Sequence, residues 1–312
     1  MVTTSVAPDF FVIGAGRAGT TSLHHYLRQH PDVFLPATKA PSFFYGVGDR
    51  SSWSSERRRE TRTHFVCDPQ DYARLFVDAA PEQLLGDVSP AYLASIDVPS
   101  RIRSAAPNAR LVAILRDPTE RVRARFEGRR RDGLERRGSL AEIVDAEIGE
   151  PPWPADTGGR YLASGYVSHI LERYFEEFDR SQVLLLTTED LAADPSEVLR
   201  EVLGFIGADP NAAIDTSKVH NRSGGPIANP VVRRLWTGSA GMRTALRPIV
   251  PESWRDAAFR GLVRSRPAPR EEATLARLRA HFAEEVSRLS VVVGRDLTPW
   301  TRGERLHGGG AR

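Results

Sequence analysis

The sequence predicts an α/β fold, a single domain with a central parallel sheet flanked by helices. Two observations carry this. Phe10-Phe11-Val12-Ile13 is an apolar strand that runs through Gly14-Ala15-Gly16-Arg17-Ala18-Gly19 into Thr20-Thr21-Ser22-Leu23, so that strand, glycine turn and helix start follow one another directly. Leu111-Val112-Ala113-Ile114-Leu115 and the stretch from Gln182 to Thr187 are apolar runs of the kind that parallel sheets cover on both faces.

The remaining elements follow in order. Thr20 to about His30 reads as a helix with Leu23, Tyr26 and Leu27 turned inward, and Pro31 stops it. Val33-Phe34-Leu35 is a short apolar piece, followed by a loop through Lys39 that Phe43 and Phe44 anchor. Residues 46–63 lack an apolar period and read as a surface segment. Asp71 to Ala79 predicts a helix, and Leu84-Leu85-Gly86-Asp87-Val88 a brief strand. Pro118 opens a helix to about Gly128, and another runs from Leu140 to Ile148. Tyr166, Ile170, Tyr174 and Phe178 are spaced by four, which predicts one long helix from Tyr161 to Phe178. Ser196 to Ile206 reads as a helix, and Glu271 to Leu289 as a single amphipathic helix. Residues 211–269 have too weak a period to place elements. The domain is expected to span 1–302, with 303–312 a disordered tail.

Composition narrows the function classes. Lys and Arg number 43 against 40 Asp and Glu, a formal charge of +3, which gives no global field for a nucleic-acid partner. The basic excess is local, at Arg57-Arg58-Arg59, Arg129-Arg130-Arg131 and Arg136-Arg137. The single cysteine, Cys67, excludes an intramolecular disulfide and a multi-cysteine metal site. No apolar run reaches the roughly 18 residues of a membrane span, and residues 1–9 lack the pattern of a signal peptide, so a cytoplasmic protein is expected.

The chemistry-bearing motif is the glycine turn. Backbone N–H groups there and at the following helix N-terminus suit a phosphate. Nucleotide hydrolases place a Lys at the end of such a loop to reach the outer phosphates, and here Thr20 occupies that place. A donor with a short phosphate-like group and no required metal therefore fits better than ATP. Arg116-Asp117-Pro118 stands at the carboxyl end of the 111–115 strand, on the sheet edge where open α/β folds bind ligands. An Arg there offers a permanently charged fork to a phosphate.

The glycine loop, the Lys39 segment, the Arg116 strand end and the ending Gly294-Arg295-Asp296-Leu297-Thr298-Pro299-Trp300 together resemble sulfotransferases that use 3′-phosphoadenosine-5′-phosphosulfate (PAPS), of the bacterial type related to carbohydrate sulfotransferases. The resemblance spans nearly the whole chain and implies their P-loop-like fold, PAPS as co-substrate, no metal, and a small-molecule or glycan acceptor. It places Arg17, Gly19, Thr20, Thr21 and Ser22 at the 5′-phosphosulfate and Arg116 at the 3′-phosphate, with Lys39 stabilising charge on the transferring group. Two departures stand out. The family's Ser eight residues after the Arg is Ala124 here, which Arg123, Arg125 or, as the leading candidate, Arg222 would compensate. The Glu that serves carbohydrate-modifying relatives as general base, in K-E-x-x-F-F, is Ala40, which leaves Asp87 as the nearest candidate base. An alternative reading, from another class, is a catalytically silent module that binds PAPS or its product 3′,5′-bisphosphate without turning it over. Oligomeric state is not legible.

Overall fold

The structure is a computed structural model and describes residues 4–47, 65–131, 135, 137–150, 160–218 and 269–306. Strands β1 (Phe10–Gly14), β2 (Val33–Phe34), β3 (Leu84–Val88), β4 (Arg110–Leu115) and β5 (Val183–Thr187) form one sheet in the order β2-β3-β1-β4-β5. Every pairing is parallel. The apolar runs explain the arrangement: all five residues of β1 are buried, and so are Leu111 to Leu115 of β4, as two central strands require. The chain visits one side of β1 to make β2 and β3, then crosses to the other for β4 and β5. The carboxyl end of β1 is thus flanked by strands from opposite halves, the position where such sheets bind ligands.

Helices α1 (Thr20–Leu27), α2 (Phe43–Gly46), α3 (Pro69–Arg74), α4 (Val98–Ala105), α5 (Pro118–Arg131), α6 (Leu140–Glu147), α7 (Ser168–Glu177), α8 (Thr188–Ala193), α9 (Pro195–Ile206), α10 (Pro269–His281), α11 (Ala283–Val293) and α12 (Pro299–Arg302) surround it. Their starts follow from capping. Asp194 accepts from Ser196 N–H and Glu197 N–H ahead of α9, Ser139 caps α6, and Asp68 caps α3.

Two predicted long helices are each broken, and the breaks meet. The Tyr161 to Phe178 stretch is a short 3-10 turn at Leu162–Gly165 and then α7, while the Glu271 to Leu289 stretch is α10 and α11, interrupted at Phe282. The fully buried Phe282 ring presses on Gly165 so closely that a β-carbon there would collide with it. Glu285, in the first turn of α11, accepts from Val167 N–H, Ser168 N–H and the Ser168 hydroxyl, each at 2.8 Å, and so starts α7 from outside its own sequence. Local periodicity contained neither contact.

The end of the chain differs from expectation as well. Gly303 closes α12 in the left-handed region, Glu304 N–H bonds Pro299 O at 2.9 Å, and Leu306 is buried in the main core. Leu306 therefore packs, and 307–312 lie outside the described residues, as do 48–63 of the predicted surface segment and all of 219–268.

Candidate functional site

The glycine turn leaves β1 and bends back onto β4 through an Ala15 N–H to Ile114 O bond of 2.7 Å. Arg17 takes a left-handed conformation (φ 69), and Gly19 (φ 103) caps α1. Gly19 cannot be replaced easily: a β-carbon there would lie 2.5 Å from Leu191 Cδ2, on α8. The first turn of α1 has neither an acidic residue nor a side-chain cap, so its positive dipole end is available to an external anion.

Within that turn the side chains part. Thr20 and Ser22 are each only 3% exposed. Thr21 is half-buried, and its Oγ1 accepts a hydrogen bond of 2.5 Å from Lys39 Nζ. Burial, and then the neighbouring Arg17 guanidinium, lowers the Lys39 pKa to about 8. Arg116 extends from the end of β4 to donate to Arg17 O at 2.6 Å and lies 3.6 Å from Glu120. Arg17 itself packs its guanidinium on Gly128 of α5. The structure thus brings Arg17, Gly19, Thr21, Lys39 and Arg116 to one edge of the sheet.

Asp87 is elsewhere, and this corrects the expectation that it faces an acceptor. Its carboxylate has no exposure, accepts from Ser89 Oγ at 2.5 Å, Tyr92 OH at 2.7 Å and Tyr72 OH at 2.9 Å, and burial raises its pKa against those three bonds. A base must touch the proton it removes, and Asp87 is enclosed on every side. What it holds is the Lys39 segment. Ser89 Oγ also accepts from Ser42 N–H at 2.9 Å, and Tyr92 OH from Phe44 N–H at 3.3 Å. Ala40 (φ 58) and Ser42 (φ 53) both adopt the left-handed conformation, which costs about 1–2 kcal/mol for each non-glycine residue. The Asp87 network offsets that strain and fixes the turn that follows Lys39.

Three further residues were not singled out by sequence reasoning. Thr188, the first residue of α8, donates within 3.2 Å of Ala18 O and 3.1 Å of Leu115 O, linking the glycine loop to the Arg116 strand. Glu189 accepts from Trp300 Nε1 at 3.1 Å, and its other oxygen is buried without a partner. Asp190 is gripped by Arg295, and the hydrogen bonds from Arg295 and Thr187 outweigh its burial to hold its carboxyl below the usual range. The Gly294 to Trp300 motif is therefore the brace of α8, which in turn walls the glycine loop.

Of the residues expected to replace the hydroxyl missing at Ala124, Arg123 is committed to Glu120, Glu127 and Glu271 at 3.4, 3.1 and 3.3 Å, and Arg222 lies outside the described residues. Tyr26 OH lies 2.9 Å from Lys218 O, which brings the segment leading to Arg222 against α1. Arginines gather around Tyr161, and one of them, Arg137, is paired with Glu135 at 3.0 Å. The guanidinium carbons of Arg125, Arg129 and Arg137 lie 5.5, 5.9 and 5.4 Å from the Tyr161 ring centre, with Glu135 bonded to the Tyr161 hydroxyl at 2.6 Å.

A family model described as "Sulfotransferase family" matches residues 8–211, which contain this entire loop, strand-end and lysine arrangement. The chain belongs to the sulfotransferase family. The crystal structure of a sulfotransferase from Alicyclobacillus acidocaldarius is similar over 95% of this chain and 99% of that one, with 26% identity and a TM-score of 0.69. The bifunctional heparan sulfate N-deacetylase/N-sulfotransferase 4 of Mus musculus is 28% identical over 206 residues, 65% of this chain and 23% of its own length. The heparan sulfate glucosamine 3-O-sulfotransferase 6 of Mus musculus is 23% identical over 201 residues, 64% of this chain and 52% of its length. This sulfotransferase-family chain thus spans about a quarter to a half of those curated relatives. Among its described residues no helix is long and apolar enough to cross a membrane, and no cluster of His, Cys, Asp or Glu could hold a metal ion.

Proposed function

We propose that this chain is a PAPS-dependent sulfotransferase that moves a sulfuryl group to a hydroxyl or amine of a glycan or small molecule. The single observation that carries the reading is the Lys39 to Thr21 bond of 2.5 Å, which sets a cation at the glycine loop where α1 directs its positive end. In the reaction the acceptor oxygen or nitrogen bonds to sulfur as the bond from sulfur to the 5′-phosphate oxygen breaks, adenosine 3′,5′-bisphosphate leaves, and the proton of the acceptor passes to solvent. The loop backbone from Arg17 to Ser22 cradles the phosphosulfate. Lys39 and Arg17 stabilise charge that builds on the leaving oxygen, and Arg116 takes the 3′-phosphate.

Asp87 serves this chemistry as a positioning residue for Lys39. With Ala40 beside Lys39 and Asp87 enclosed, an acceptor that needs little deprotonation suits the site, such as a free amine or an acidic hydroxyl. The arginines around Tyr161 support an anionic glycan, and the names of the heparan sulfate relatives point the same way. A half-buried Lys39 held on Thr21 favours turnover over silent binding. We assign the chain to the bacterial cytoplasm within this reading, on a sequence with one cysteine and its likeness to the Alicyclobacillus protein.

The test is transfer of radiolabelled sulfate from PAPS to glucosamine-containing glycans, N-acetylated and de-N-acetylated. Label on either acceptor supports the reading, with more on the free amine expected. No label on any glycan, phenol or amine overturns it.

A further inference from the structure

Thr188 joins the two anion-binding parts of the site through a single hydroxyl. That hydroxyl lies 3.2 Å from Ala18 O and 3.1 Å from Leu115 O, carbonyls 170 and 73 residues away in sequence. Its one proton is shared between the two acceptors. What lies across each peptide bond gives the arrangement its meaning. Ala18 O belongs to the peptide unit that carries the N–H of Gly19, the cap of α1, and Leu115 O to the unit that leads into Arg116. A peptide unit is planar and trans, so its C=O and N–H point in opposite directions. Holding both carbonyls therefore fixes the direction of the Gly19 N–H in the loop and of the backbone from which the Arg116 side chain leaves.

The residues that follow Thr188 keep it in place. Arg295 grips Asp190 and Trp300 donates to Glu189, so α8 is braced from the C-terminal motif. Leu191 packs on Gly19, but that contact is apolar and non-directional, and it limits approach without setting a spacing. Two other ties join the glycine loop to β4. Ala15 N–H bonds Ile114 O at the start of the loop, and Arg116 Nη1 bonds Arg17 O. The second uses the very guanidinium for which a 3′-phosphate competes. Thr188 ties the far end of the loop with a group that no phosphate needs to displace.

We propose that Thr188 is a positioning residue that sets the separation between the glycine loop and Arg116, and so selects a nucleotide with phosphates at both its 5′ and 3′ positions over one with a single phosphate. This rests on the PAPS reading above. A ligand with two anions on one frame gains from the second contact only when the protein holds its two binding points at the ligand's own spacing, because that contact then forms without a further loss of freedom. A ligand with one anion has no such requirement, and a loop released from the strand adapts to it.

The experiment is calorimetric titration of the full chain, wild type and variants, with adenosine 3′,5′-bisphosphate and adenosine 5′-phosphate, beside thermal melting without nucleotide. Wild type is expected to prefer the bisphosphate. Thr188→Val keeps the side-chain volume and removes the hydroxyl, and is expected to lose about 5- to 10-fold of that preference, the worth of one net hydrogen bond, with little change in affinity for the monophosphate. Thr188→Ser keeps the hydroxyl and should hold the wild-type preference. Thr188→Ala repeats the test should Thr188→Val fail to fold. An unchanged preference in the variant that lacks the hydroxyl overturns the proposal and leaves the donor reading intact. Equal weakening of both nucleotides overturns it too, since a merely structural role produces that result. So does a loss in Thr188→Ser as large as that in Thr188→Val. If neither Thr188→Val nor Thr188→Ala folds, the hydroxyl serves the fold and the proposal is equally overturned. Wild type that binds both nucleotides alike overturns the donor reading itself.

Discussion

Arg295 grips Asp190 with both terminal nitrogens, at 2.7 and 3.0 Å, across 105 residues of sequence. The pair is mostly buried, with side-chain exposures of 21% and 16%, and it holds α8 where Leu191 walls Gly19. Arg295→Ala is expected to cost about 2 kcal/mol of stability, as for a charged hydrogen-bonded pair, and to weaken bisphosphate binding without touching the ligand. Denaturant unfolding beside nucleotide titration measures both. Loss of stability with unaltered affinity would show that α8 does not support the loop.

Lys39 gives the site a pH dependence. Its pKa in the folded chain is about 8, below the model-compound value of 10.5, so above pH 8 the native state has released a proton that the unfolded chain keeps. Burial of the charged form therefore destabilises the free protein below about pH 8, and stability from this group rises from there towards pH 10.5. An anionic donor reverses the preference and restores the proton. Binding near pH 8 is expected to take up protons, seen as a calorimetric heat that varies with the ionisation enthalpy of the buffer. Lys39→Met should abolish that uptake; a buffer-independent heat in wild type would remove Lys39 from the donor site.

Asp87→Asn separates positioning from base catalysis. The variant weakens the network under Ser42 and Phe44 and should lose about 1–3 kcal/mol of stability, with turnover falling because Lys39 is misplaced. Tyr92→Phe breaks the same network and should lower turnover in proportion, leaving the pH profile unshifted in both variants. Full activity in Tyr92→Phe with none in Asp87→Asn would return the role of base to Asp87.

Ala40→Gly tests the strain beside Lys39. Glycine adopts φ near +58 without the penalty an L side chain meets, so a stability gain of about 1 kcal/mol is expected, measured by thermal unfolding. A destabilised variant would show that the turn is not held against its preference.

Much of the fold was legible because its signals are local. The apolar runs of β1, β4 and β5, the glycine turn and the proline-led start of α5 are written in consecutive residues, and the all-parallel sheet followed from them. The helix breaks at Gly165 and Phe282 were not legible, because each depends on a partner more than 100 residues away, as Glu285 does on Ser168 at a separation of 117. The site divides in the same way. Arg17, Gly19, Thr21, Lys39 and Arg116 were readable from motif order, and the structure brings them to one edge. Asp87 was misread because a carboxylate after a strand has the same sequence pattern whether it faces solvent or, as here, three hydroxyls.

A donor pocket for PAPS is probed by calorimetric binding of adenosine 3′,5′-bisphosphate beside adenosine 5′-phosphate and ATP, with Mg²⁺ and with chelator. Tight binding of the bisphosphate is expected, unaffected by the metal and stronger than that of either other nucleotide. Equal binding of all three, or binding of ATP that requires Mg²⁺, would contradict it.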